Sequence, residues 1–224
     1  MTDPVGSHFD RVAPDYDHWK TKAHRYYDAL KTSLREIVPP GSRVLEVGCA
    51  TGDILASLAP VEGMGLDISP AMIELASRKH PDLRFRVHDL MQGPLDERFD
   101  FAIAADVAEH VPDLDKMMGS LAGMLTDRGV AVVVTANPLW SPVLHAAERL
   151  RLKMPEGDHE WRSRADLTAA ASRAGMRERS FDRSLVMPKD VPGLRALDSA
   201  RWAAGLRQRV GLIQRAVFES IAAA

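Results

Sequence analysis

The feature that most constrains the fold is a short apolar run that turns into a loop of small residues. Residues 44–53 read Val-Leu-Glu-Val-Gly-Cys-Ala-Thr-Gly-Asp, and a second apolar run ends in an acid at Asp67. A glycine loop between a strand and a helix lets a ligand approach the backbone, and an acid after the next strand can accept hydrogen bonds from ribose hydroxyls. The spacing therefore predicts an α/β fold with a nucleotide-type cofactor at its first strand-to-helix turn.

The spacing of the glycines indicates which cofactor. A dinucleotide fingerprint beginning at Gly48 would need glycines at positions 50 and 53, where the chain has Ala50 and Asp53. Glu46-x-Gly48-x-Ala50-x-Gly52 instead resembles motif I of the class I S-adenosylmethionine (SAM) methyltransferases, with alanine at the middle glycine. The resemblance implies SAM as the cofactor and disfavours a nicotinamide oxidoreductase.

Composition and charge exclude several other kinds of protein. With 224 residues, 46% of them hydrophobic, the chain can bury one large core. Its 29 basic and 31 acidic residues nearly cancel, so no overall field favours nucleic acid or an anionic membrane. Cys49 is the single cysteine, so the chain cannot form an internal disulfide. The N-terminus lacks a signal-peptide pattern, and no apolar run reaches the roughly 18–20 residues of a membrane span. We expect a cytoplasmic protein without stable membrane insertion or a nucleic-acid partner.

Apolar periodicity predicts strands that alternate with helices. The predicted strands cover 43–47, 61–66, 83–88, 99–105 and 130–134, with one or two more in 176–186. Polar residues alternate with apolar ones in the third strand, as at a sheet edge, whereas 130–134 is almost entirely apolar, as in a buried central strand. This order predicts a Rossmann-like, doubly wound and mostly parallel seven-stranded sheet with helices on both faces.

We predict that residues 1–224 form a single methyltransferase domain in three parts. An N-terminal helical cap covers 1–38, the SAM-binding core covers 39–186, and a helical C-terminal segment covers 187–224. Five apolar residues of that last segment share one face of the predicted helix, which favours core packing or a homodimer over a membrane-surface helix. They are Leu206, Val210, Ile213, Val217 and Ile221.

The leader Phe-Asp-Arg-Val-Ala-Pro-Asp-Tyr-Asp at residues 9–17 is similar to that of the small-molecule methyltransferases related to the quinone-methylating enzymes. In that family the leader folds over the methionine end of the cofactor, which implies that Tyr16 lies near the sulfonium. An ordinary packing helix with a buried tyrosine is the alternative.

The resemblance also implies roles for acids that end three strands. Glu46 would order the glycine loop or accept from the amino group of the cofactor, Asp67 would accept from the ribose, and Asp89 from the adenine amino group. Each could instead be a solvated or capping carboxylate. The implied cofactor-binding residues are Tyr16, Glu46, Gly48, Ala50, Gly52, Asp67, Ile68, Asp89, Leu90 and Ala105.

Residues 104–111 look like motif IV, with a Glu-His core at Glu109 and His110. His110 follows the strand beside strand one, so it would face the transferred methyl group and is our first candidate for a general base. A structural histidine that orients Glu109 or caps the next helix is the alternative. His159, in a long insert that also contains Trp161, is the second candidate base, and an aromatic-anchored surface loop is the alternative there.

A metal site is a further interpretation of motif IV. In a helix Asp106, Glu109 and His110 would share one face, and with His159 they could hold Mg²⁺ or Mn²⁺. This pattern resembles the metal-dependent small-RNA 2′-O-methyltransferases, and the stretch Pro-x-Gly-x-His-x-Trp at 155–161 resembles the polyprenyl-catechol O-methyltransferases. Asp106 is one methylene shorter than the glutamate of those families, so we predict no metal requirement.

The sequence as a whole predicts a SAM-dependent methyltransferase that acts on a small-molecule acceptor, with oxygen favoured as the acceptor atom. Two alternatives stay open. One is a non-catalytic SAM-binding subunit or sensor, which Ala50 and Asp106 suggest. The other is a metal-dependent O-methyltransferase of a catechol-like acceptor.

Overall fold

A computed structural model describes residues 4–155, 157, 160–185 and 204–221. Among the described residues, three α-helices precede the sheet: α1 (Pro4–Val12), α2 (Tyr16–Lys22) and α3 (His24–Arg35). They form the predicted helical cap. Leu30 and Leu34 lie one turn apart on α3 and are fully buried in the hydrophobic cluster on one side of the sheet.

Within the described residues the sheet has seven strands. They are β1 (Arg43–Val47), β2 (Glu62–Asp67), β3 (Arg84–Val87), β4 (Phe99–Ala105), β5 (Leu125–Ala136), β6 (Met176–Ser184) and β7 (Ile213–Ser220). Their order is β3-β2-β1-β4-β5-β7-β6, parallel from β3 to β5, while β7 is antiparallel to both of its neighbours. This confirms the predicted doubly wound, mostly parallel sheet, with β3 at an edge and β5 inside.

Helices cover both faces of the sheet. In the part of the chain that the structure describes, the remaining α-helices are α4 (Asp53–Ser57), α5 (Pro70–Lys79), α6 (Leu114–Gly123), α7 (Ser141–Arg149), α8 (Arg164–Arg173) and α9 (Ala204–Val210). Side chains of β1 alternate between two clusters, one with α3 and α4 and the other with α6 and α8. Side-chain caps fix the starts of two helices, since the Ser69 hydroxyl caps α5 and Ser163 forms a capping box with Asp166 on α8. None of the described helices has the length and apolar character needed to cross a membrane.

The prediction of a helical C-terminal segment is wrong for Ile213–Ser220. Helix α9 ends at Val210, and the chain then forms β7, which inserts between β5 and β6. Because β7 pairs along both edges and is covered on both faces, most of its residues are buried and the two-residue alternation of a half-exposed strand is absent. Ile213 and Val217 are four residues apart and therefore imitate a helical repeat. Residues 187–203 and 222–224 of that segment lie outside the described residues.

Candidate active site

A cavity of about 580 Å³ lies at the carboxyl ends of β1, β2 and β4. The chain leaves β1 and β4 in opposite directions across the sheet, and this switch point is where open α/β sheets bind their ligands. The volume is typical of a small-molecule site. The cap helices and the residues beside them close the outer wall through Pro4, Val5, Phe9, Tyr16, Lys20 and Tyr27.

The loop after β1 has a left-handed backbone at alternate residues. The φ angles are 65° at Gly48, 45° at Ala50 and 76° at Gly52. Ala50 therefore adopts the conformation that favours glycine, which explains why the family motif has glycine there. Gly48 and Ala50 line the cavity, whereas Gly52 lies behind them, where a Cβ atom would meet the Phe85 ring at 2.6 Å.

Asp67 lines the cavity and fastens the glycine loop. Its Oδ2 accepts from the Ala50 backbone N–H at 2.9 Å, and its Oδ1 accepts from the Ser69 backbone N–H at 2.9 Å. Burial raises the pKa of the Asp67 carboxyl, although these N–H donors oppose the shift. The carboxylate is thus held in one orientation at the tip of β2.

Glu46 lies deeper, at the end of β1, and is almost fully buried. Its Oε2 accepts from the Leu55 backbone N–H at 3.0 Å, which ties the start of α4 to the strand. Burial raises the pKa of Glu46 to about 8, while the Leu55 N–H and the nearby Lys20 oppose that shift. The contact gives Glu46 an ordering role behind the loop as well as a place in the cavity wall.

Asp89 caps a short 3-10 turn at Leu90–Gln92, because its Oδ1 accepts from the Met91 backbone N–H at 2.8 Å. This is the capping role considered as the alternative, yet the residue also lines the cavity. Every residue predicted to bind the cofactor lines the cavity except Gly52. The remaining lining members of that set are Tyr16, Ile68, Leu90 and Ala105.

Motif IV does not form the helix that the metal interpretation requires. Asp106 has a left-handed backbone with φ 57°, and the residues after it form a turn before α6. The Tyr26 hydroxyl donates to Asp106 Oδ1 at 2.5 Å, and burial beside that carboxylate raises the pKa of Tyr26. Glu109 Oε1 instead accepts from the Thr135 hydroxyl and the Ala136 backbone N–H on β5.

The shared helical face proposed for a metal is therefore absent. Over the ranges that the structure describes, no three His, Cys, Asp or Glu side chains are grouped so as to hold a metal ion. His159, the predicted fourth ligand and second candidate base, lies outside the described residues. Independence from metal stays a prediction.

A second cavity of about 160 Å³ adjoins the first. Both cavities are lined by Tyr27, Asp106, Glu109, His110 and Met154, so the motif IV turn forms the wall between them. The rest of the second cavity is mainly aromatic and aliphatic, with two lysines. Those residues are Trp19, Lys22, Ala23, Tyr26, Ala136, Leu144, Ala147, Leu152, Lys153, Trp161 and Leu212.

His110 lines both cavities. The Phe9 ring packs edge-to-face against it, with ring centroids 5.5 Å apart. This contact brings the leader to motif IV, about a hundred residues away in sequence.

The sequence analysis did not single out Lys20 or Tyr26, which both line this site. Lys20 lines the larger cavity, and it follows Tyr16 by four residues, so the two share one face of α2. That spacing was the available signal. Tyr26 had none, because its partner Asp106 is 80 residues away.

Residues 18–178, well over half of the chain, match the methyltransferase domain family model. The chain belongs to this family. Two similar curated proteins are ubiquinone biosynthesis O-methyltransferases, from Rhodopseudomonas palustris strain HaA2 (28% identical) and Bradyrhizobium diazoefficiens (31% identical). Each alignment covers 130 residues, 54% of this chain and 51% of the relative. The chain thus spans about half the length of these relatives.

Solved structures share the fold at low sequence identity. A methyltransferase of Haloferax volcanii in complex with the Trm112 activator aligns with a TM-score of 0.75 and 22% identity, over 95% of this chain and 97% of that one. The magnesium protoporphyrin IX methyltransferase of Synechocystis PCC 6803 aligns with a TM-score of 0.64 and 19% identity, over 97% and 100%. With the family match, these findings confirm the resemblance to the class I SAM-dependent methyltransferases related to the quinone-methylating enzymes.

Proposed function

We propose that the protein transfers a methyl group from SAM to an oxygen atom of a small-molecule acceptor. The observation that carries this proposal is the pair of adjoining cavities separated by the motif IV turn. The larger one has the polar groups that a nucleoside cofactor needs, and the smaller one has an aromatic lining suited to an organic acceptor. Methyl transfer requires two such sites that meet at one point.

The residues of the larger cavity fit SAM. Asp67 offers a fixed, buried carboxylate for the ribose hydroxyls, and the backbone of Gly48 and Ala50 lies open beside it. Asp89 can accept from the adenine amino group, while Glu46 faces the same space from β1. Bound SAM supplies an electrophilic methyl group on its sulfonium.

The chain itself contributes alignment, exclusion of water and removal of a proton. The cap helices cover the cavity, with Tyr16 in its wall. His110 lies where it can accept the proton of an acceptor hydroxyl, and Phe9 limits the orientations of its ring. His159 stays the second candidate base, and an acceptor that arrives as an anion would need neither.

The lining of the smaller cavity favours a flat, largely apolar acceptor. Trp19, Tyr26 and Trp161 present aromatic surface, and Leu144 and Leu152 present aliphatic surface. Two similar curated proteins are O-methyltransferases, which supports oxygen as the acceptor atom. A homodimer, a cytoplasmic location and the absence of a nucleic-acid partner remain predictions.

Calorimetry and a methyl-transfer assay test the proposal. We expect the protein to bind SAM and its demethylated product. Asp67→Ala should lower the affinity for both ligands by about 10- to 100-fold, which is the scale of losing a charged hydrogen-bond acceptor. With an acceptor found by product mass spectrometry, His110→Ala should lower turnover by roughly 100-fold and leave cofactor affinity unchanged.

His24→Ala is the matched control for the histidine, because His24 is exposed and lines neither cavity. Turnover should survive EDTA and dialysis. Cofactor binding without transfer to any acceptor would favour the sensor, and activity restored by Mg²⁺ after chelation would favour the metal-dependent enzyme.

A further inference from the structure

The larger cavity has an uneven distribution of charge. In the lining that the structure describes, Lys20 is the one lysine or arginine among several carboxylates. SAM brings a sulfonium, an ammonium and a carboxylate. The acids can attract the two cationic groups, but they repel the carboxylate of the ligand unless a cation faces it. The acids are Glu46, Asp67, Asp89, Asp106, Glu109 and Glu160.

Lys20 is placed to meet that need. Its side chain is only 11% exposed, so its charge is weakly screened by solvent. Its Nζ lies 2.7 Å from Asp53 Oδ2 and 3.4 Å from Thr51 Oγ1. A lysine ammonium has three N–H donors, so one remains for a ligand in the cavity. The rings of Tyr16 and Tyr27 hold the ammonium at 5.5 and 5.2 Å from their centroids.

We propose that Lys20 binds the carboxylate of the methionine part of SAM. This inference rests on the proposed function. It makes α2 a part of the cofactor site that recognises the amino-acid end of the ligand, while the acids at the tips of β2 and β3 face the nucleoside end.

The surroundings of Lys20 match an amino acid in its zwitterionic form. Glu46 and Lys20 line the same cavity, so a hydrogen-bond acceptor and a cation adjoin there, and the Glu46 carboxyl group keeps an acceptor oxygen whether or not it holds a proton. The ammonium and carboxylate of methionine are attached to one carbon and need such a pair. Asp53 also pairs with Lys79 at 2.9 Å and His80 at 3.0 Å, so it stays neutralised when Lys20 contacts the ligand.

Binding of SAM and of decarboxylated SAM to the whole chain, measured by calorimetry, tests the assignment. Decarboxylated SAM keeps the nucleoside, the sulfonium and the ammonium, and lacks only the carboxylate. Lys20→Met should lower the affinity for SAM by about 10- to 100-fold, which is the effect of losing one charge-assisted hydrogen bond. The same variant should bind decarboxylated SAM as the parent does, and Lys20→Arg should recover most of the affinity for SAM.

Lys79→Met is the matched control, because Lys79 pairs with the same Asp53 but does not line the cavity. We expect it to leave both affinities near the parent values. If Lys20→Met lowered the affinity for both ligands equally, the assignment would be overturned, and the role of Lys20 would be to hold α2 in place. Unchanged SAM affinity would overturn it too, and in both cases the proposed function stands. A parent protein that binds neither ligand would overturn both.

Discussion

Single residues at this site stabilise the backbone as well as lining the cavity. Asp67 accepts from two backbone N–H groups, Glu46 holds the start of α4, and Asp89 caps a turn. Removing any of these carboxylates leaves buried donors without acceptors, which costs stability as well as affinity. Affinity changes in such variants therefore need an unfolding measurement beside them.

Ala50→Gly should stabilise the protein by up to about 1 kcal/mol, because a left-handed alanine costs about 1–2 kcal/mol and glycine loses part of that gain through chain entropy. Cofactor affinity should stay the same or rise. Urea unfolding with and without SAM measures both.

Two other alanines calibrate this result. Ala59 also has a positive φ, 48°, outside the cavity lining, so Ala59→Gly should have a similar effect on stability alone. Ala56 is inside α4, and Ala56→Gly should destabilise by about 1 kcal/mol. If Ala50→Gly instead destabilised as much as Ala56→Gly, strain at position 50 would be ruled out.

At the scale of elements, the cap helices are fastened to the cofactor loops by side chains. Asp10 on α1 accepts from the Ser69 hydroxyl at 2.6 Å and from the Ala71 backbone N–H at 3.2 Å, at the start of α5. Asp17 on α2 accepts from the hydroxyl of Thr51, in the glycine loop, at 2.9 Å. The cap thus depends on the two loops that the cofactor is proposed to contact.

Asp10→Ala should loosen α1. The substitution removes the acceptor of two hydrogen bonds, and it also removes a negative charge at the N-terminus of α5. Each of these two losses should cost about 0.5–2 kcal/mol. Hydrogen exchange should become faster in residues 4–12, with the strands unchanged, and SAM affinity should fall. Asp15→Ala is the control, since Asp15 is exposed in the same leader. Equal protection of α1 in the Asp10 variant and the parent would contradict this role.

At the scale of the whole molecule, folding buries ionisable groups that the unfolded chain exposes. Glu46 is the clearest case, because helices, loop and sheet close over it together. Its pKa is about 4.5 in the unfolded chain and about 8 in the fold, so between these values the folded state holds a proton that the unfolded state has lost. Its contribution to stability is therefore complete at low pH and is lost as the pH rises through about 8.

Glu46→Gln should remove this dependence, because the amide stays neutral and can still accept from Leu55. Between about pH 5 and pH 9, the free energy of unfolding of the parent should fall relative to that of the variant. Comparing the two proteins removes the effect of the groups that titrate in both. Urea unfolding at three pH values in that window measures it. A constant difference across the window would mean that Glu46 is ionised throughout.

The sequence by itself determined the core fold and several of the residues that line the larger cavity. Strand β1, the glycine loop and Asp67 are close in the chain. Their order therefore determines where the backbone turns and where the Asp67 carboxylate lies. Helix caps such as Ser69 were predictable for the same reason, because a cap and the N–H that it satisfies are three residues apart.

Only the tertiary structure decided the features that depend on distant partners. Ile213–Ser220 became a strand because β5 and β6 supply its hydrogen bonds, and no pattern within the segment encodes that pairing. The metal interpretation required Asp106 to lie in a helix, but the residue has a left-handed backbone and its carboxylate faces Tyr26. The second cavity forms only once the cap lies on the sheet, because side chains far apart in sequence meet through packing that local periodicity does not record.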